Sequence, residues 1–248
     1  MTVFATYNIK GGVGKTAAAV NLAYCAAQEG RRSLVWDLDP QGAASYYFRV
    51  RPETGGGKGA LKGKRELESL VKGTDFPDLD LLPANFSFRN LDVWLDDARK
   101  PESRLGKRLK PLSRDYECVF LDCAPTLSLA SESIFHAADV LLIPLIPTTL
   151  SLRAFEQLQA FLAEKGSKGL RRLAFFTMAD RRKKLHLDIM EALPGERPEI
   201  LGTVIPQASE VERMGPEQAP VGAFAAASKA AHAYRELWAE IRQRLDLG

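Results

Sequence analysis

A glycine-rich turn constrains this chain more than any other stretch. Val3 to Tyr7 is a short apolar, β-rich run, Lys15 opens a long alanine-rich run, and Gly11, Gly12 and Gly14 lie between them. These runs read as a strand and a helix, joined by a turn from Asn8 to Gly14. A backbone that turns tightly into a helix, with no Cβ in the way, aims several N–H groups at one point near the helix N-terminus. Such a point binds phosphate. Lys15 adds a mobile ammonium for the β- and γ-phosphates of a nucleoside triphosphate, and the Thr16 hydroxyl can ligate the accompanying magnesium ion. Gly11, Gly12, Val13, Gly14, Lys15, Thr16 and Ala17 are the expected phosphate contacts.

The usual pattern, G-x-x-x-x-G-K-[ST], asks for glycine at position 9, where this chain has Ile9. It carries instead a second lysine, Lys10, five residues before Lys15, in the order Lys10-Gly11-Gly12-Val13-Gly14-Lys15-Thr16. This is the deviant Walker A motif, and with it the chain resembles the ParA/MinD family of ATPases. The resemblance implies ATP and Mg2+ as ligands. It also gives Lys10 a role across a dimer interface, at the partner's nucleotide.

Two further motifs follow in the order that the family has them. Ser33 to Asp37 reads as a strand leading into Asp37-Leu38-Asp39-Pro40-Gln41-Gly42, and loops at the carboxyl ends of strands line the ligand crevice of a doubly wound sheet. Asp37 and Asp39 are therefore expected to face the phosphates, and the resemblance makes Asp39 the residue that orients the attacking water. Tyr116 to Asp122 is a hydrophobic strand ending in acid, the Walker B arrangement, which makes Asp122 a magnesium ligand, directly or through water. Further strands are expected at Leu79 to Pro83, Val140 to Ile143, Arg172 to Thr177 and Ile200 to Ile205. Helices are expected at Ser103 to Leu112, Ser151 to Glu164 and Ser228 to Leu245, and a short one around Glu66 to Val71. Strands alternating with helices imply a mostly parallel, doubly wound α/β sheet covered on both faces, the P-loop NTPase fold. In the family the loops after the last two strands pack around adenine, which singles out Met178 and Pro206. The segment after Pro206, residues 207–215, reads as a loop whose Glu210 and Glu212 depart from more basic relatives.

At 248 residues, with 46% hydrophobic and 26% charged residues, the chain fits one domain spanning 1–248. No apolar run approaches the roughly 20 residues of a membrane span, and the N-terminus enters a strand with no charged-then-apolar leader, so a cytoplasmic protein is expected. The odd number of cysteines, Cys25, Cys118 and Cys123, argues against a disulfide framework and for small buried hydrophobes. Net charge is only +3, but residues 165–184 hold eight Lys or Arg against one Asp, and residues 99–114 seven against one Glu. Such local excess suits a polyanion. Arg181, Arg182, Lys183 and Lys184 are the expected DNA contacts, since they follow a strand and so lie at its nucleotide end. Lys168, Arg171 and Arg172 precede that strand and rank second.

Taken together, the resemblance implies an ATP-dependent dimerising switch that binds DNA without sequence preference at the nucleoid, with partner-stimulated hydrolysis that segregates or positions a cargo. The cargo classes left open are a plasmid, a chromosome origin and a protein assembly such as a carboxysome. The alternative is a MinD-like, membrane-associated regulator of division. That reading requires a basic amphipathic appendage after the last core helix, and the Ser228 to Leu245 helix reads as core packing instead.

Overall fold

The computed structural model describes residues 1–51, 67–84, 101–165 and 169–247. Its centre is an eight-stranded sheet in the order β3-β4-β2-β5-β1-β6-β7-β8. The strands are β1 (Thr2–Thr6), β2 (Ser33–Asp37), β3 (Lys72–Gly73), β4 (Leu79–Leu82), β5 (Cys118–Asp122), β6 (Val140–Leu145), β7 (Arg171–Ala179) and β8 (Ile200–Pro206). All pairings are parallel except that of β3 with β4, an antiparallel edge that the sequence reading missed.

The central strands are buried on both faces, which is why β2, β5 and β6 are near-continuous apolar runs rather than alternating. In β1, Val3 and Ala5 pack into one core and Phe4 into the other. On the Phe4 side lie α1 (Lys15–Gln28) and the C-terminal helix; on the Val3 side lie the helices at Arg104–Leu109, Leu129–Ala137 and Thr149–Lys165. Helix α1 is built from alanine, whose small side chain loses no entropy in a helix and lets it settle closely on the strands. It ends at Glu29, and Gly30 follows with φ 79°, the left-handed conformation that terminates helices.

After α1 come the short α2 (Ala43–Tyr47), α3 (Arg104–Leu109), α4 (Leu129–Ala137), α5 (Thr149–Lys165), α6 (Lys184–Glu196), α7 (Ser209–Glu217), α8 (Val221–Phe224) and α9 (Lys229–Leu245). The helix expected at 103–112 is broken into α3 flanked by 3-10 turns, and the one around Glu66 to Val71 is a 3-10 turn at Glu68–Leu70, Glu66 lying outside the described residues. The loop expected after Pro206 is helix α7. Glu210 and Glu212 sit in its first turn, where the helix dipole favours acids, and Met214 is buried beneath it.

Helix α9 is core packing, as read. Ser228 caps it by accepting from the Ala231 amide, and Tyr234, Leu237, Trp238 and Ile241 are buried against the sheet. Trp238 lies edge-on to Phe4 at 5.7 Å and 5.9 Å from Phe120, while Phe4 and Phe120 stack at 4.9 Å across β1 and β5. Its indole N–H donates to Glu29 at the end of α1, so one side chain ties α9 to both the sheet and α1. Trp238→Ala should cost about 3–5 kcal/mol, the usual range for emptying a large aromatic site. Urea unfolding measures it, and a loss below about 1 kcal/mol would mean that α9 contributes little to the core.

Candidate nucleotide-binding site

The turn from β1 to α1 is held open by its own side chains. Asn8, fully buried, donates to the Pro144 carbonyl on β6 and accepts from the Lys10 amide, both at 2.9 Å. The Lys10 carbonyl in turn accepts from Lys15 Nζ at 3.2 Å. Gly12 and Gly14 take φ 69° and 83°, which a residue with a Cβ adopts only under strain. At Gly11 and Gly12 nothing lies within 4 Å of where a Cβ would project, so this side of the turn is open; Gly14 instead backs onto Thr177 and Met178. The result is a concave run of amides at the head of α1, with Thr16 half-buried and Val13, Lys15 and Ala17 buried behind it.

Below the cradle, parallel register brings Thr6, Asp37 and Asp122 side by side at the ends of β1, β2 and β5. Asp122 is fully buried, and among the described residues neither of its oxygens has a hydrogen-bond partner. Burial, then the nearby Asp37, push its carboxyl well above the usual range, with the Thr16 hydroxyl and Lys15 ammonium opposing. Asp37 is pushed up to about 6, again by burial first; its Oδ2 accepts from both the amide and hydroxyl of Ser45, and its Oδ1 has no partner among the described residues. Lys15 shows the mirror effect, as burial lowers the affinity of its amine for a proton while Asp122, Cys123 and Asp39 raise it.

Buried carboxylate oxygens left unpaired cost several kcal/mol unless a cation completes them. Thr16 and Asp122 fit a magnesium ion by that test. Among the described residues no three His, Cys, Asp or Glu side chains converge on a point, which suits an ion held by few protein ligands together with phosphate oxygens and water. Asp39 is half-buried in the loop between β2 and α2, its Oδ1 accepting from the Gln41 amide at 2.9 Å. Lys10 is half-buried at the mouth, and among the described residues its ammonium makes no hydrogen bond or ion pair.

The expected adenine residues also meet at this edge. Strand β7 runs two residues beyond the expected Thr177, and Met178 lies within it at φ 51° with its methyl 3.9 Å from the projected Gly14 Cβ. Pro206 ends β8 opposite Ala179, whose carbonyl accepts from Gln207. The basic run beyond β7 divides in two. Arg182 is clamped by Asp180 through its Nε and Nη2 at 2.9 and 3.0 Å, which holds the Asp180 carboxyl down to about 2. Arg181, Lys183 and Lys184 are exposed and form no ion pair with another described residue. Lys183 and Lys184 open α6, where the helix dipole disfavours cations, so helix stability does not account for them. Arg171 and Arg172 lie at the opposite end of β7, bonded to the Arg244 carbonyl and to Gln159; Lys168 lies outside the described residues.

A parallel sheet with a lysine-bearing glycine cradle at its carboxyl edge, beside a buried strand-end aspartate, defines a P-loop ATPase. Residues 1–171 match the AAA domain family. The chromosome partitioning protein ParA of Myxococcus xanthus is 30% identical over 248 residues, covering 96% of this chain and 86% of that protein. The sporulation initiation inhibitor protein Soj of Bacillus subtilis is 27% identical over 246 residues, covering 96% and 97%. Among solved structures, a cobyrinic acid a,c-diamide synthase from Mycobacterium smegmatis with bound ATP analog and magnesium is 26% identical, with a TM-score of 0.84 and coverage of 100% of this chain and 97% of that one. The chain belongs to the ParA family of partition ATPases.

Sequence reasoning missed three polar residues that shape this site: Asn8, Ser45 and Asp180. Asn8 carried a signal, being the first polar residue after an apolar strand, whereas nothing near Ser45 distinguished it from a surface serine. The buried acids generate a prediction. Because both prefer the proton in the folded protein, the stability they contribute is present below an unfolded value near 4 and is lost as pH rises, through about 6 for Asp37. Asp122→Asn should therefore stabilise the nucleotide-free protein clearly at pH 8 and by little at pH 4.5. Equal effects at the two pH values in urea unfolding would contradict this assignment of the cost.

Proposed function

We propose that this ATPase is a dimerising switch that partitions or positions a cargo by binding DNA non-specifically while it holds ATP. The observation that carries the reading is Lys10. Its backbone is pinned from both sides, yet its ammonium has no partner within its own cradle, where Lys15 already takes the usual lysine position. A cation held at the mouth suits a second phosphate cradle brought against it. In this reading Lys15 and the partner's equivalent of Lys10 stabilise charge that develops on the γ-phosphate. Asp39 spends Oδ1 on Gln41 and keeps Oδ2 for the attacking water. Thr16 and Asp122 hold the magnesium ion, which when bound neutralises phosphate charge. Gly11 to Ala17 hold the phosphates, and Met178 and Pro206 flank the base.

Arg181, Lys183 and Lys184 form the DNA contact, and closure of the dimer joins two such runs at one edge. A cargo-adaptor protein stimulates hydrolysis and so releases the pair. The chain acts as one domain in the cytoplasm, at the nucleoid. Among the described residues no helix is long and apolar enough to cross a membrane. A MinD-like reading requires a free amphipathic helix, and α9 has its apolar face buried against β8 and α1.

Asp39→Ala should keep ATP binding, since cradle and magnesium ligands remain, and should lose at least tenfold in turnover. Normal phosphate release by that variant would remove Asp39 from the mechanism. On DNA, replacing Arg181, Lys183 and Lys184 together by alanine should lower affinity for unrelated duplexes equally and flatten the salt dependence by about 0.9 for each phosphate no longer neutralised. Arg182→Ala should change that slope least, because Asp180 already neutralises it. An unchanged slope in the triple variant would place the DNA surface elsewhere.

A further inference from the structure

The loop that carries Asp39 is closed into a ring by a single carboxylate. Asp37 ends β2, the chain passes through Leu38 to Gly42, and Ser45 in α2 returns to Asp37 Oδ2 with its amide at 2.8 Å and its hydroxyl at 2.7 Å. The Ser45 hydroxyl also accepts from the Ala84 amide at 2.8 Å, so it fastens the loop to the segment that follows β4. The approach there is close, since a Cβ on Gly42, which has φ 67°, would lie 3.5 Å from that of Ala84. Inside the ring the Leu38 amide donates to the Asp122 carbonyl, and the Gly42 amide to the Asp39 carbonyl. Asp37, Ser45 and Ala84 are all buried.

We propose that Asp37 and Ser45 are positioning residues whose two hydrogen bonds fix the loop, and with it the Asp39 carboxylate, for attack by water. This rests on the reading of Asp39 given above. It assigns to Asp37 the work of a staple rather than that of a magnesium ligand. A side chain that must hold a water within a few tenths of an ångström cannot ride on a free loop, because misplacing it by an ångström costs on the order of 100-fold in rate. Closure by Asp37 and Ser45 supplies the rigidity, and Ala84 couples it to the body of the sheet.

The test compares Ser45→Ala, Asp37→Ala and Asp37→Asn in the full-length protein, with steady-state ATP hydrolysis, binding of a fluorescent ATP analogue, magnesium titration and amide hydrogen exchange over residues 38–45. Ser45→Ala should lower kcat about tenfold, leave analogue affinity within about threefold, and speed exchange across the loop. The Asp37→Asn amide oxygen can still accept from Ser45, so this variant should recover most of the turnover lost in Asp37→Ala, with less than a threefold change in the magnesium requirement. On an Asp39→Ala background, Ser45→Ala should cost nothing further. Thermal melting with bound analogue confirms that each variant is folded, and loop exchange in Ser45→Thr gives a second reading of the hydroxyl if Ser45→Ala is not. Parent-like turnover in Ser45→Ala, while Asp39→Ala is inactive, overturns the staple alone. Damage as deep in Asp37→Asn as in Asp37→Ala, with a raised magnesium requirement, overturns it in favour of a metal ligand. An active Asp39→Ala overturns the underlying reading instead.

Discussion

Two carboxylates and an ammonium buried at the carboxyl ends of neighbouring strands are the constraint around which this molecule is built. Register makes the juxtaposition unavoidable, since a parallel sheet that aligns Phe4 with Phe120 also aligns Thr6 with Asp122, and Asp122 with Asp37. Apolar helices on both faces exclude water from that line. The electrostatic cost is met only in part by Lys15, which is itself depressed by burial. A polyphosphate with its cation supplies the missing charges of both signs in one ligand. The fold thus stores at its centre a preference for the nucleotide-bound state, which is what a switch driven by ATP requires.

Around this centre each functional loop is restrained by one polar residue. Asn8 ties the start of the cradle to β6, Ser45 ties the Asp39 loop to the end of β2, and Asp180 ties Arg182 back onto the turn after β7. Each uses a side chain to bond backbone or a neighbouring side chain, so that a loop at the edge of the sheet keeps one shape without a longer element to support it. The three loops follow β1, β2 and β7, parallel strands of one sheet, and so lie along its carboxyl edge.

The cradle was legible in the sequence because its chemistry is local. Glycines, a lysine and a hydroxyl within seven positions dictate both conformation and ligand, and Asp122 was legible as the end of an apolar run. Strand and helix alternation was equally plain, since strands buried on both faces read as continuous apolar runs. What escaped was non-local or context-dependent. That Arg182 differs from Arg181 depends on the geometry of a turn, and the role of Ser45 depends on an acid eight residues away and an amide 39 residues away. Helix α7 escaped because the reading of residues 207–215 as a loop rests on the family resemblance rather than on their own pattern. The acids of its first turn and the apolar Val211 and Met214 are the better guide, and Arg213 pairs with Glu217 one turn on.

Lys10 is where the fold and the proposed switch meet, because its backbone is fixed in the cradle while its ammonium makes no hydrogen bond or ion pair among the described residues. Sedimentation equilibrium with ATP and magnesium, in the Asp39→Ala background so that nucleotide is not consumed, tests this most directly. The account predicts a dimer for Asp39→Ala alone, and a monomer that still binds ATP once Lys10→Ala is added. A Lys10→Ala protein that dimerises as fully as its parent would contradict it.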